Sequence, residues 1–185
     1  MTRIIAGRAG SLALAVPDAG TRPTSDRVRE SLFGALESQG LVQDAAVLDL
    51  FAGSGALGLE AVSRGAASAD LIEKAPRAAA VAERNARAIA KAAPGAAVRV
   101  HRTAADAFLR AATSTFDLVF VDPPYDLDEG TLTTTLGLLV ARLGDTATVV
   151  IERATRSGAP TLPAGLALGR SKKYGDTTLW WAVAP

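Results

Sequence analysis

Cysteine is absent, and His101 is the sole histidine among 185 residues. Without thiolates there is no material for zinc knuckles, disulfide staples or a cysteine nucleophile. One imidazole can build neither a histidine-rich metal cage nor more than one histidine-centred triad. Metal-free chemistry is therefore expected. The cytoplasm is the expected compartment, because the opening MTRIIAGRAG lacks the apolar core of a secretory signal. Long hydrophobic runs are missing too: the apolar stretches fall far short of the ~20 residues that cross a bilayer, so no membrane partner is expected. Nor does one sign of charge dominate, with 20 basic against 19 acidic side chains. Any polyanion must then be held by local patches rather than by a global field. No fixed-period repeat or low-complexity linker interrupts the chain, and a monomer is expected.

What is present is a hydrophobic fraction of 49%, enough for a well-packed core in a chain of single-domain length. Residues 1–24 suggest an appendage: RIIAG and LALAV form short strands around a turn at RAGS, and PDAGTRPTSD follows as a loop. Residues 25–185 form the main domain. It opens on a helix in which Val28, Leu32 and Leu36 make one apolar stripe, ending near Gly40. Apolar runs then alternate with helical stretches. The runs are AVLDLF (46–51), ADLIE (69–73), AAVRVH (96–101), FDLVFV (116–121) and ATVVIE (147–152). Helices are predicted from about Ala56, from Pro76 to the Pro94-Gly95 stop, from about Ala107, and within 129–143. This alternation predicts an α/β fold with a Rossmann-like, mostly parallel sheet covered on both faces. LALGRSKK and TTLWWAVA flank YGD without an intervening helix, so they form a hairpin that makes one of seven strands antiparallel.

The first strand of the main domain runs into DLFAGSGALGLE, where Gly53, Gly55 and Gly58 satisfy G-x-G-x-x-G. The glycines permit a tight turn and close backbone approach, and the following helix start presents unsatisfied N–H groups. Glu73, ending the next strand, stands where an acid would bind ribose hydroxyls. A nicotinamide dinucleotide and S-adenosylmethionine both fit these features. Asp49, just before the loop, suits a ligand carrying ammonium and sulfonium cations better than one carrying a pyrophosphate; alternatively it only accepts hydrogen bonds from loop amides. Phe51 and Ser54 in the loop and Lys74 after Glu73 complete the candidate cofactor contacts. Asp106 either accepts a hydrogen bond from an adenine amino group or caps the adjacent helix.

FDLVFV ends in Asp122, Pro123, Pro124 and Tyr125. Ligands of open α/β sheets bind beyond the carboxyl ends of the strands, which puts these four residues beside the glycine loop. The lone pair of a nucleobase amine is delocalised into its ring. Two acceptors, the Asp122 carboxylate and the Pro123 carbonyl, would draw that pair out of conjugation by each taking one N–H. Consecutive prolines fix two φ angles and hold the carbonyl in place beforehand. Tyr125 offers a face on which an unstacked base can rest. Basic residues crowd the first thirty positions (Arg3, Arg8, Arg22, Arg27, Arg29), with Thr24 among them, and Lys172 and Lys173 follow Arg170 before the last strand. They are candidate phosphate contacts. Trp180 and Trp181 lie in an apolar strand, at least one of them in the core. His101 ends a strand in a structural or surface role.

Together VLDLFAGSGALGLEAVSRGA, the acid of LIEKA, FDLVFVDPPY and RIIAG…RPTSDRVRESLF resemble the bacterial 16S ribosomal RNA guanine-N2 methyltransferase D family. Its members are class I S-adenosylmethionine-dependent methyltransferases. The resemblance spans nearly the whole chain, and it is the N-terminal stretch that separates this family from adenine-N6 and cytosine-N4 DNA methyltransferases, which share DPPY. It implies methyl transfer from S-adenosylmethionine to N2 of one guanine of 16S ribosomal RNA or a small-subunit particle. By that likeness Asp122, Pro123 and Tyr125 are catalytic, and Asp49, Gly53, Gly55 and Glu73 hold the cofactor. A DNA amino-methyltransferase, an NAD-dependent oxidoreductase and a non-catalytic ribosome-assembly factor are the rival readings.

Overall fold

In the computed structural model, which describes residues 2–17 and 25–184, β1 (Thr2–Arg3) and β2 (Ala13–Leu14) pair antiparallel as a two-stranded sheet. Ser25 then starts α1 (Asp26–Glu37), its side-chain oxygen accepting the Val28 N–H and satisfying one of the helix's orphan donors. The apolar stripe buries Leu32, Phe33 and Leu36. The main body follows as β3 (Ala46–Leu50), α2 (Ala56–Ser63), β4 (Ser68–Ile72), α3 (Pro76–Ala92), β5 (Ala97–His101), α4 (Ala105–Ala111), β6 (Phe116–Val121), α5 (Glu129–Val140), β7 (Leu143–Ala154), β8 (Ala167–Tyr174) and β9 (Thr177–Val183).

These strands form one sheet in the order β5-β4-β3-β6-β7-β9-β8, in which β9 alone runs opposite to the other six. The expected α/β architecture, the seven strands and the hairpin around Gly175 are all observed. Some boundaries move for physical reasons. β7 begins at Leu143, where it pairs with Phe116, and extends to Ala154, opposite Thr177, so partners on both sides lengthen it beyond its apolar segment. α4 starts at Ala105, two residues earlier than predicted, with Ala104 at its cap position.

The sheet separates two apolar layers. Val47, Leu118, Phe120, Val150, Leu179 and Trp181 pack beneath α1, α2 and α3. On the other face Leu48, Leu50, Val119, Val121 and Ile151 meet Leu109 of α4 and Leu132, Leu136 and Leu139 of α5. Trp181 belongs to the first layer and half-buried Trp180 packs on the second. The N-terminal hairpin shares the first layer, since Ile4, Ala9 and Leu14 are buried with it. Its attachment is also polar. Glu60 of α2 is fully buried, and its carboxylate accepts the N–H groups of Ile5 and Ala6 at 2.8 and 3.1 Å. The same carboxylate pairs with Arg64 at 2.7 Å and lies 3.7 Å from Arg29. Gly7 adopts φ +83°, and a Cβ there would lie 2.1 Å from the Ser63 carbonyl oxygen, so only glycine permits this approach.

Arg29, expected at the RNA surface, is fully buried in this network and donates to Asp26 and to the Arg3 carbonyl. It is a structural cation, corrected here from a phosphate contact. Removing one member of a buried charge network leaves its partners uncompensated, at a cost of about 3–5 kcal/mol. Glu60→Ala should lower the unfolding free energy by roughly that amount in a urea titration and speed amide exchange at Ile5 and Ala6. An unchanged midpoint with protected amides would contradict the clamp.

Candidate active site

β3 and β6 are neighbours at the centre of the sheet, although β4 and β5 intervene between them in the chain. The connections leave β3 toward one side and return on the other, which is where open α/β sheets form their binding crevice. Leu50, the last residue of β3, pairs with Ile72 of β4 and with Val121 of β6, and Val121 pairs with Ile151 of β7. The next residues, Glu73, Phe51 and Asp122, therefore leave the sheet at one level on strands spaced about 4.8 Å apart, while Glu152 stands at the same level within β7, which continues to Ala154.

The glycine loop is shaped by contacts only glycine allows. Gly53 and Gly55 have φ of +56° and +80°, and Phe51 is itself left-handed at +64°, an uncommon conformation for a non-glycine residue. A Cβ on Gly58 would lie 2.4 Å from Leu71 Cδ2. One on Gly53 would meet nothing within 4 Å, so the space before that residue is open. The Gly53 N–H donates to Glu73 Oε2 at 3.0 Å and the Ala75 N–H donates to Oε1 at 2.7 Å, so Glu73 braces the loop from the neighbouring strand.

Asp49 is buried, and its Oδ2 accepts the Gly58 N–H at 2.9 Å. Burial raises its pKa to about 7; the Gly58 hydrogen bond opposes the shift and the negative charge of Glu73 adds to it. The amide contact expected of Asp49 is thus present, and the nearby Glu73 charge makes a smaller contribution that a cation would offset.

After β6, Asp122 and Pro123 are half-buried while Pro124 and Tyr125 are exposed. The Pro124 carbonyl accepts the Leu127 N–H at 3.0 Å, which closes the turn after the two prolines. Tyr125 is 65% exposed, so its ring is open to a planar ligand.

Other predicted positions scatter. Asp106 lies in the first turn of α4, not at its cap, and accepts the Thr135 hydroxyl at 2.6 Å, tying α4 to α5. The half-buried Ser54 gives its carbonyl to Asn85 Nδ2 at 2.9 Å, and Lys74 is exposed beyond Glu73. Arg3 is exposed and lies 3.5 Å from Asp26; Arg27, Lys172 and Lys173 are exposed as well. Lys172 donates to Ser31 Oγ at 3.1 Å. Arg8 donates to the Pro94 carbonyl at 3.2 Å and lines a groove with Asp44, Ala67 and Ala96, residues that precede strands. That groove lies at the amino edge of the sheet, away from the glycine loop, and Arg8 with it. Arg22 and Thr24 fall outside the described residues. His101 bonds Asp70 at 2.6 Å, and Arg99 grips the same carboxylate through two contacts of 2.9 Å, a structural role as expected.

Asn85 escaped the sequence reading. It is buried on α3, exchanges two hydrogen bonds of 2.9 Å with the backbone of Ala15, and donates to Ser54. One side chain thereby joins the N-terminal hairpin to the glycine loop. Its signal was a polar residue in the apolar stripe Ala79, Ala82, Ala86, Ile89.

The strand order, the glycine loop after β3 and the acid-diproline turn after β6 define the class I methyltransferase fold. A magnesium protoporphyrin IX methyltransferase from Synechocystis, solved with bound S-adenosylmethionine, shares that fold with a TM-score of 0.68 at 13% identity over 90% of this chain and 87% of its own. Residues 2–183 match the family described as Conserved hypothetical protein 95. The ribosomal RNA small subunit methyltransferase D of Escherichia coli is 44% identical over 94% of this chain and 85% of its own length. The solved yhhF protein of Escherichia coli superposes with a TM-score of 0.85 at 40% identity, covering 99% of this chain and 97% of its own. The chain belongs to the small subunit methyltransferase D family.

The raised pKa of Asp49 has a consequence for stability. Between its ordinary value of 3.8 and about 7 the folded state holds a proton that the unfolded state has released, so this residue makes stability fall as pH rises through that window. Above about pH 7 the effect is constant. In urea titrations the stability of Asp49→Asn relative to the native protein should therefore climb across that interval and then level off; a flat difference would contradict the assignment.

Proposed function

We propose that this protein transfers a methyl group from S-adenosylmethionine to the exocyclic N2 of a guanine in small-subunit ribosomal RNA. The observation that carries this reading is the level pairing of Leu50 with Val121, which sends the glycine loop and Asp122-Pro123 out of the sheet together. The residues present fit the cofactor. Open space before Gly53 admits a ligand close to the backbone, and Asp49, whose pKa burial and Glu73 raise to about 7, would be drawn into its ionised form by a neighbouring cation. A pyrophosphate would meet repulsion there, which speaks against a nicotinamide dinucleotide. Asp49, with Phe51, Gly53, Ser54 and Gly55 of the loop, would hold the amino-acid end, and Glu73 and Lys74 would lie toward the ribose. When bound, the cofactor supplies an electrophilic methyl group on a sulfonium.

The chain's own groups do the rest. Asp122 and the Pro123 carbonyl each accept one N–H of the target amine, which favours a pyramidal nitrogen whose lone pair points away from the ring. The prolines fix those acceptors before the base arrives, so little reorganisation is needed as positive charge develops on nitrogen. Tyr125 supports the flipped base on its exposed face. The N-terminal hairpin with its loop forms the RNA-binding appendage, and Arg3, Arg27, Lys172 and Lys173 contact phosphates of a folded RNA or a small-subunit particle in the cytoplasm. The enzyme acts as a monomer. A duplex-DNA substrate is disfavoured, because the described residues carry no inserted domain that could read a groove.

Small subunits from cells lacking this protein, incubated with labelled cofactor, should gain a methyl group on guanine N2. Losing a preorganised acceptor costs about 10²–10³-fold in rate, so Asp122→Ala should fall by that factor while still binding the cofactor. Full activity in the variant would overturn the role of Asp122. Free guanosine should react poorly, because the binding energy that positions the base comes from the surrounding RNA. Turnover of the nucleoside as efficient as that of the particle would refute this.

A further inference from the structure

Beside Asp122 stands a second carboxylate to which the reading so far gives no role. Val121 and Ile151 are paired across β6 and β7 and face the α4–α5 layer. Side chains alternate along extended backbone, and the residue before a proline is held extended. The following positions, Asp122 and Glu152, accordingly turn to the opposite face, the one shared by Phe120 and Val150. Glu152 is paired with Leu179 of β9, which is buried in that same layer. Glu152 also lines a narrow pocket together with Pro123, Pro124 and Tyr125, the residues that would receive the base. It is half-buried at the rim of that pocket.

The chemistry of the candidate bases differs next to the reactive amine. In guanine, N2 is flanked by N1, which carries a hydrogen, and by N3, an acceptor, so a carboxylate must lie on the N1 side. In adenine the ring nitrogen beside N6 is an acceptor, and in cytosine the one beside N4 is an acceptor. An ionised carboxylate only accepts. Placed beside the group that holds the amine, it complements guanine and opposes the other two.

Resting on the guanine-N2 reading above, we propose that the Glu152 carboxylate accepts the N1–H of the target guanine, and so selects guanine over adenine and cytosine. Asp122 and Pro123 hold the amine, and Glu152 fixes the neighbouring ring edge so that the amine meets them in register. A site built to bond a particular N–H discriminates strongly against analogues that present an acceptor there instead, since the carboxylate then faces another lone pair.

The test uses small subunits reconstituted with 16S RNA carrying either guanine or 2-aminopurine at the position the native enzyme methylates. 2-Aminopurine keeps the exocyclic amine but has an acceptor at N1. The native enzyme should prefer guanine by roughly 100-fold or more in kcat/KM. Glu152→Gln should lose about 10- to 100-fold on guanine, the cost of a charge-assisted bond. Because its amide can donate to N1, the preference for guanine over 2-aminopurine should shrink by about tenfold or more. Cofactor affinity by calorimetry and the melting temperature should stay at native values, which separates recognition from folding. If Glu152→Gln keeps both the native rate and the native preference, this inference fails while the guanine-N2 reading stands. If the native enzyme places no methyl on guanine N2, that reading fails and this inference falls with it.

Discussion

The pairing of β3 with β6 at the centre of the sheet is the constraint on which the rest of the site depends. Because Leu50 and Val121 sit opposite one another, the glycine loop and the acid-diproline turn begin at the same height on adjacent strands. Neither segment has to reach toward the other. The strands are buried on both faces, so a slip of one residue would drive every side chain into the opposite layer and disrupt the packing of both. The apolar layers that stabilise the fold therefore also fix the separation of the proposed cofactor and acceptor sites.

Around that centre the protein invests in buried polar contacts. Glu60 gathers two backbone amides and two guanidinium groups, and Asn85 bridges the hairpin, α3 and the glycine loop. Each is costly to bury without partners, and each has them. Their effect is to hold Ile5, Ala6 and Ala15 against α2 and α3. A short hairpin of two-residue strands could not keep a fixed position alone. It is fixed because its backbone is bonded to a helix whose own start is the glycine loop.

The sheet was legible in the sequence because both-face burial makes parallel strands read as apolar runs, and glycine and proline punctuate the helices between them. FDLVFV was read to its observed limits, since Asp122 and two prolines stop it sharply. β7 was read too short, because its outer residues are held by neighbours on both sides and carry no apolar signature of their own. The strand-end acids were found because motif and topology agree on them. Arg29 was misjudged: nothing local distinguishes an arginine that meets RNA from one that meets Glu60, thirty-one positions away. The backbone groups that Asn85 and Glu60 hold lie far away in the chain, so the sequence around each does not show them. Arg8 was grouped with the other N-terminal arginines by proximity in sequence, but the hairpin carries it to the opposite edge of the sheet.

The central claim is that Asp122 and the Pro123 carbonyl face the reactive centre of a cofactor seated on the glycine loop. A crystal structure with a cofactor analogue carrying an amine in place of the sulfonium methyl tests it most directly. The account predicts the analogue's amino-acid ammonium beside Asp49, and its substituting amine about 3 Å from Asp122 or the Pro123 carbonyl. An analogue bound in the groove beside Arg8, or one whose amine points away from an Asp122 turned out of the site, would contradict it.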